Sequence, residues 1–282
     1  MTPETTIAAL IARGARLLAS AGDPMRSSAI LDSELLLAHA LGGSRAGLLA
    51  HPERVVGAAE AARFGELLRR RAEGEPLAYL TGQREFWSLA LAVNAAVLVP
   101  RPESELLVER ALTLLARPTG AVADLGTGSG AIALALASER PRWRILATDV
   151  SAAALQTARQ NATALGLGTV EFRLGDWFAA LEGECFDLLI SNPPYVAASD
   201  PALSALRHEP RLALSPGEDG FASLRVLARG AAQHLHPGGW LLLEHGATQG
   251  AQVREELVLA GFAHVRSHTD LAGHERTTEG QR

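Results

Sequence analysis

The chain has 282 residues, 48% of them hydrophobic, and a formal net charge of −5, its 26 basic residues (all arginine) facing 31 acids. That length implies one large or two unequal domains. The acid surplus, concentrated after residue 102, argues against a protein that grips nucleic acid mainly through its phosphates. One cysteine, Cys185, permits no intramolecular disulfide, and no stretch approaches the roughly 18 apolar residues of a membrane span. With no basic-apolar leader either, the composition predicts a soluble, cytoplasmic protein.

Apolar residues at Ile7, Leu10, Ile11, Leu17 and Leu18 mark one face of a helix from Thr5 to about Ala21, broken by Gly22-Asp23-Pro24. A second helix covers Ala29 to Leu41 and stops at Gly42-Gly43. A third runs from about Ala58 to Arg71, with Phe64, Leu67 and Leu68 on one face. Arg69, Arg70 and Arg71 fall in its last turn, where cations suit the negative end of the helix dipole. Residues 1–73 therefore read as a small helical domain. From Pro76 to Val93 the larger apolar residues Phe86, Trp87, Leu89, Leu91 and Val93 nearly alternate with smaller or polar ones, the pattern of a β-hairpin. Val97 to Pro102 is an extended connector, because residues before proline avoid the helical region. Residues 74–102 thus form a hairpin and connector between two domains.

From Glu103, which opens a helix to about Ala116, strands and helices alternate. Strands are expected at Ala121–Leu125, Arg144–Thr148, Val170–Leu174, Phe186–Ser191 and Trp240–Glu244, with helices near 131–139, 152–165 and 249–260. Two further short strands after Gly261 are weakly signalled. Alternation on this spacing predicts an α/β domain, 103–282, whose doubly wound, mostly parallel sheet is covered by helices on both faces.

Two stretches carry chemistry. The loop Asp124-Leu-Gly-Thr-Gly-Ser-Gly130 joins the first strand of this domain to a helix. Its glycines allow close approach of backbone N–H groups and a helix N-terminus to a polar ligand. Asp149 ends the next strand, where a carboxylate can accept both hydroxyls of a ribose. A loop of this kind alone is weak evidence; loop and acid together imply a nucleoside ligand. The Gly-x-Gly-x-Gly spacing departs from that of dinucleotide binders, and the Lys-Ser/Thr of an ATP-binding P-loop is missing.

The second stretch is Phe186-Asp-Leu-Leu-Ile-Ser-Asn-Pro-Pro-Tyr195. Its apolar run reads as a buried parallel strand, and two prolines that cannot donate ladder hydrogen bonds end it. Taken alone, a strand followed by Asn-Pro-Pro is more often only a turn. In a doubly wound sheet, however, the first and fourth strands are neighbours at the topological switch point. Asn192-Pro193-Pro194-Tyr195 and the glycine loop should therefore flank one crevice.

Together these residues resemble S-adenosylmethionine-dependent methyltransferases that modify planar nitrogens. The resemblance extends over nearly the whole chain. Leu98-Val-Pro-Arg-Pro-Glu-Ser-Glu-Leu-Leu107, Glu209-Pro-Arg-Leu-Ala-Leu214, Gly217-Glu-Asp-Gly-Phe221 and Glu244-His-Gly-Ala-Thr-Gln249 are similar to the HemK/PrmC family. Ser104 stands where that family is expected to carry Thr, and keeps the hydroxyl. The resemblance implies a Rossmann-like sheet of seven strands and a helical N-terminal domain that helps hold a protein substrate. It also implies methylation of the side-chain amide nitrogen of the glutamine in the Gly-Gly-Gln motif of class 1 peptide-chain release factors. The cofactor would be S-adenosylmethionine, leaving as S-adenosylhomocysteine. The implied cofactor residues are Gly126, Thr127, Gly128, Ser129, Gly130, Asp149 and Asn192, with Trp177 beside the adenine. A tryptophan at that position is otherwise an ordinary packing residue.

The chemistry asks for these residue types. A carboxamide nitrogen is a poor nucleophile, its lone pair delocalised into the carbonyl. It must be held in line with the methyl, about 3 Å away. Asn192 Oδ1 and the Pro193 carbonyl can accept its two N–H bonds and stabilise charge developing on nitrogen. Pro194 and Tyr195 complete the substrate site, Tyr195 packing on the planar amide. No metal is required; His234-x-His236, the nearest ligand pair, reads as a surface pair at a helix end. Ribosomal-protein glutamine methylation and methylation of a nucleic-acid exocyclic amine remain alternatives, as does a non-catalytic binding module on the same fold. The expected partner is a release factor, without nucleic acid or membrane, and the chain is expected to be a monomer.

Overall fold

The computed structural model describes residues 5–21 and 29–282; the helix break expected at Gly22-Asp23-Pro24 lies outside them. The chain forms two compact units, Met1–Gly82 and Gln83–Arg282.

The first unit holds α1 (Ile7–Ser20), α2 (Ala29–Leu41), α3 (Arg45–Ala50), α4 (Ala58–Ala72) and α5 (Leu77–Thr81). Thr6 caps α1, its hydroxyl accepting from the Ala9 N–H at 3.3 Å. Ile7, Leu10, Leu18, Leu36, Leu37, Phe64 and Leu68 make the core. Helices α1 and α2 approach so closely at Gly14 that a β-carbon there would lie 2.3 Å from Ser33 Oγ. Inside this core Asp32 accepts from Arg71 Nε at 2.8 Å, so the last-turn arginines are not all solvated; Arg71 closes a buried ion pair.

Helix α5 replaces the start of the expected hairpin. Pro76 supplies a pre-set φ of −56° ahead of it, and Gly82, in the left-handed region at φ 76°, ends it. The hairpin proper is β1 (Gln83–Phe86) and β2 (Leu89–Ala92), joined through Trp87 and Ser88 at positive φ. It belongs to the second unit. Phe86 and Leu91 are buried in that unit's core, and the Ala92 N–H donates to Asn161 Oδ1 at 2.7 Å.

The second unit continues through α6 (Glu105–Leu114), β3 (Ala121–Leu125), α7 (Ala131–Glu139), β4 (Arg144–Asp149), α8 (Ala152–Ala164), β5 (Glu171–Leu174) and β6 (Phe186–Ser191). It ends with α9 (Ala202–Ala205), α10 (Arg211–Leu214), α11 (Ala222–Gly230), β7 (Leu235–Glu244), α12 (Gly250–Leu259), β8 (Ala263–Thr269) and β9 (Glu275–Gln281). Seven strands form one sheet in the order β5-β4-β3-β6-β7-β9-β8, all neighbours parallel except those of β9. The period-2 alternation of strands sorts side chains onto two faces. Val122, Leu188, Ile190 and Leu242 join the layer containing α6 and α7. Ala123, Leu125, Leu189, Leu241 and Leu243 join the layer containing α11 and α12. The sheet is therefore the doubly wound, mostly parallel, seven-stranded one expected. Strands β3 and β6 lie side by side, Asp124 opposite Ile190, which brings their two carboxyl-end loops together. No helix among the described residues is long and apolar enough to cross a membrane.

Candidate active site

The glycine loop leaves β3 with Gly126, Gly128 and Gly130 at φ of 78°, 56° and 85°, a left-handed region that L side chains rarely adopt. The Gly126 and Thr127 N–H groups both donate to the Thr148 carbonyl of β4, pinning the loop across the strand ends. Asp149 fixes the other side. Its Oδ2 accepts from the Gly128 N–H at 2.9 Å and its Oδ1 from Ser151 at 2.8 Å, leaving a lone pair on each oxygen. Burial raises the Asp149 pKa, and these N–H donors pull it back.

Behind the loop Asp124 is fully buried. Thr127 Oγ1 donates to its Oδ2 at 2.6 Å, while Oδ1 has no partner. Burial pushes its carboxyl up to about 7 against the opposing pull of that hydroxyl.

Trp177 follows β5 in a tight turn at φ 44°, a strained conformation for a bulky residue. Its ring closes over the loop: a β-carbon on Gly126 would lie 3.5 Å from Trp177 Cζ3.

Across the crevice, Ser191 Oγ of β6 donates to the Leu125 carbonyl at 2.6 Å and locks the two strand ends together. Asn192 Nδ2 then donates to Ser104 Oγ at 3.0 Å. Its Oδ1 and the Pro193 carbonyl accept no bond from the described residues. Tyr195 turns its hydroxyl inward to Glu244 Oε1, 3.2 Å away at the end of β7. That contact and burial both raise the Tyr195 pKa, burial more strongly.

The stretches singled out in the sequence converge here as supports. Glu209, buried, accepts from the Val99 N–H at 3.0 Å and from Arg101 Nη2 at 2.5 Å. Gln249 Nε2 donates to the Tyr195 carbonyl at 3.2 Å and the Gly220 carbonyl at 3.1 Å. Gly220 sits so close that a β-carbon there would meet the Ala197 nitrogen and Tyr195 oxygen at 2.8 Å.

Between the two loops lies a cavity of about 420 Å³, within the roughly 300–1,000 Å³ that ligand sites span. Gly126, Thr127, Gly128, Ser129, Asp149, Trp177, Asn192 and Pro194 all line it. Three expected site residues do not. Gly130 caps α7, where a β-carbon would lie 3.1 Å from Leu134 and 3.2 Å from Ala158. Pro193 and Tyr195 lie outside the lining, the Tyr195 ring packing against the second core layer. Apolar lining from Phe86, Val97, Leu98, Ile132 and Leu212 escaped sequence reading, since nothing in their spacing marks them as lining rather than core. Ser104, Glu209 and Glu244 were missed as partners, although each lies within a stretch the resemblance rests on.

The lining fits S-adenosylmethionine. A carboxylate with free lone pairs suits ribose hydroxyls, and the Trp177 ring with its apolar neighbours suits a purine. Gly128, where a β-carbon would meet nothing within 4 Å, leaves open space beside the loop. His234 and His236 make no such constellation: His234 stacks on Phe178 at 5.0 Å between ring centroids and His236 is exposed.

Residues 9–82 match the PrmC N-terminal domain family and residues 102–258 the methyltransferase small domain family. A release factor glutamine methyltransferase of Xylella fastidiosa is 53% identical over 254 residues, covering 89% of this chain and 92% of its own. One from Pseudomonas aeruginosa is 50% identical over 260 residues, covering 92% and 94%. A crystal structure of a methyltransferase from Pyrococcus furiosus shares the fold, with a TM-score of 0.53 and 20% identity over 68% of this chain and 88% of that one.

Proposed function

This chain belongs to the release factor glutamine methyltransferase family, and we propose that it transfers a methyl group to the side-chain amide nitrogen of the glutamine in the Gly-Gly-Gln motif of class 1 release factors. S-adenosylmethionine, the methyl donor, supplies when bound a methyl group on a positively charged sulfur. Asp149 would hold its ribose, Trp177 its adenine, and the backbone from Gly126 to Ser129 its remaining length.

One observation carries the reading. With Nδ2 turned to Ser104, which takes one of its two N–H donors, Asn192 lines the crevice with its acceptor Oδ1 still free, and an acceptor is what a substrate NH₂ requires. The Pro193 carbonyl, which accepts no bond from the described residues although Pro193 lies outside the cavity lining, is the second acceptor in this reading. Two accepted N–H bonds fix the plane of the amide and favour positive charge growing on its nitrogen, in a site held before the substrate arrives. Tyr195, its hydroxyl tied back to Glu244 and its ring packed on the second core layer, braces the motif from outside the cavity lining. The methylated nitrogen, carrying one proton too many, then loses it to water.

The helical unit contributes docking surface for the protein substrate. The enzyme acts in the cytoplasm, as a monomer, on protein rather than nucleic acid. The net charge of −5 supports that choice of substrate, and ribosomal-protein or nucleic-acid substrates are not favoured. Methyl transfer from labelled S-adenosylmethionine, offered release factor, ribosomal protein, RNA and DNA in parallel, tests this. Label is expected in release factor alone, and label in RNA or DNA instead would overturn the reading.

A further inference from the structure

Resting on that reading, we propose that Glu244 is a positioning residue that gives the Asn192 amide its direction, acting across Ser104, while it holds the Tyr195 hydroxyl from the same carboxyl group. Glu244 ends β7, one strand away from the motif it serves, and is 1% exposed. Its Oε1 takes the Tyr195 hydroxyl at 3.2 Å, and its Oε2 is buried with no hydrogen-bond partner among the described residues. Ser104, 4% exposed, closes no hydrogen bond to this carboxyl, but its hydroxyl, like that of Tyr195, favours the ionised form.

The direction follows from donors and acceptors. An ionised carboxylate only accepts, so the Ser104 hydroxyl turns its proton toward Glu244 and its lone pair toward Asn192. Asn192 must then present Nδ2 to Ser104, as observed, and Oδ1 to the crevice. A protonated Glu244 can donate instead. Ser104 is then free to donate to Asn192, the amide can reverse, and an NH₂ group would meet the substrate's NH₂ group. Donor would face donor, and the substrate would lose an acceptor.

Burial pushes the Glu244 carboxyl up to about 7, so the choice between these arrangements falls in the working pH range. The other charged groups facing it are Arg276 of β9, which favours ionisation, and Glu103 of the turn before α6, which opposes it. His245, next along the strand, is held by the Gly246 carbonyl and Thr278.

Two measurements on the full chain test this. The first is the NMR signal of the Asn192 side-chain NH₂ group, assigned by its loss in Asn192→Ala, followed from pH 5 to 9 without substrate. It is expected to shift with a midpoint near 7, and to stop shifting in Glu244→Gln and Ser104→Ala. The second is single-turnover methylation of release factor. The wild-type rate is expected to rise through the same midpoint, with Glu244→Gln slower by about tenfold or more and without that limb, at unchanged cofactor affinity. Ser104→Thr, which keeps the hydroxyl, is expected to restore both signals. An Asn192 signal that titrates identically in Glu244→Gln would overturn the proposal, whatever the rates. An Asn192 signal that follows Glu244 in a protein inactive on release factor would leave the positioning intact and sink the substrate assignment instead.

Discussion

Asp149 Oδ2 accepts the Gly128 N–H at 2.9 Å, so the acid that ends β4 also holds the glycine loop in shape. Replacing Asp149 with Ala therefore removes the proposed ribose acceptor and a loop tether together. S-adenosylmethionine binding is expected to weaken by roughly 2–3 kcal/mol, the worth of two charge-assisted hydrogen bonds. Calorimetry is the check, and an unchanged affinity would take Asp149 out of the site.

The buried Asp124 makes stability depend on pH. Its folded pKa, about 7, lies above the ordinary value of 3.8. The folded chain thus holds the proton more tightly than the unfolded one. The stabilisation is complete below about pH 4 and is lost as pH rises through 7, amounting to roughly 4 kcal/mol across that window. Urea unfolding of the ligand-free protein between pH 4 and 8 should show this decline, and Asp124→Asn should flatten it. Parallel pH profiles for the two proteins would contradict the assignment.

A protein beginning at Gln83 is expected to bind cofactor as the full chain does and to methylate intact release factor poorly. One beginning at Glu103 should lose stability as well, because the hairpin takes Phe86, Leu91 and the Ala92–Asn161 hydrogen bond with it. Thermal melts separate the two truncations; equal stability would show that the hairpin adds nothing to the α/β unit.

Gly220→Ala introduces a β-carbon 2.8 Å from the Tyr195 oxygen at a position with φ 66°. The displaced motif should lower kcat about tenfold or more while cofactor affinity stays put, since Gly220 lies outside the cavity. Full kcat in this variant would mean that the backbone after Tyr195 need not be held.

The sheet could be read from the chain because its central strands are unbroken apolar runs ended by glycine, acid or proline, as in Leu188-Leu-Ile190 before Asn192-Pro193. Strand β9 was signalled only weakly. It buries Thr277, Thr278 and Glu279, and Glu279 is neutralised by Arg110 from α6 and Arg266 from β8, partners 169 and 13 residues away. Helix α5 was hidden by its length of five residues, too short for a period to show. At the site the lining residues Asn192, Asp149 and Gly126 carried local signals in their own loops. The supports did not, because the links from Ser104 to Asn192 and from Tyr195 to Glu244 span 88 and 49 residues. Nothing in Tyr195-Val-Ala foretold that the tyrosine turns its hydroxyl away from the crevice.

In the proposed site Asn192 Oδ1 holds the glutamine amide for methylation. This role is tested most directly by mass spectrometry of release factor after a single turnover with saturating S-adenosylmethionine, using wild-type protein and Asn192→Ala. One added methyl is expected on the Gly-Gly-Gln glutamine, formed about 10²–10³ times more slowly by the variant at nearly unchanged cofactor affinity. A variant that methylates that glutamine at the wild-type rate would contradict it, leaving Asn192-Pro-Pro-Tyr195 as nothing more than the turn that ends a strand.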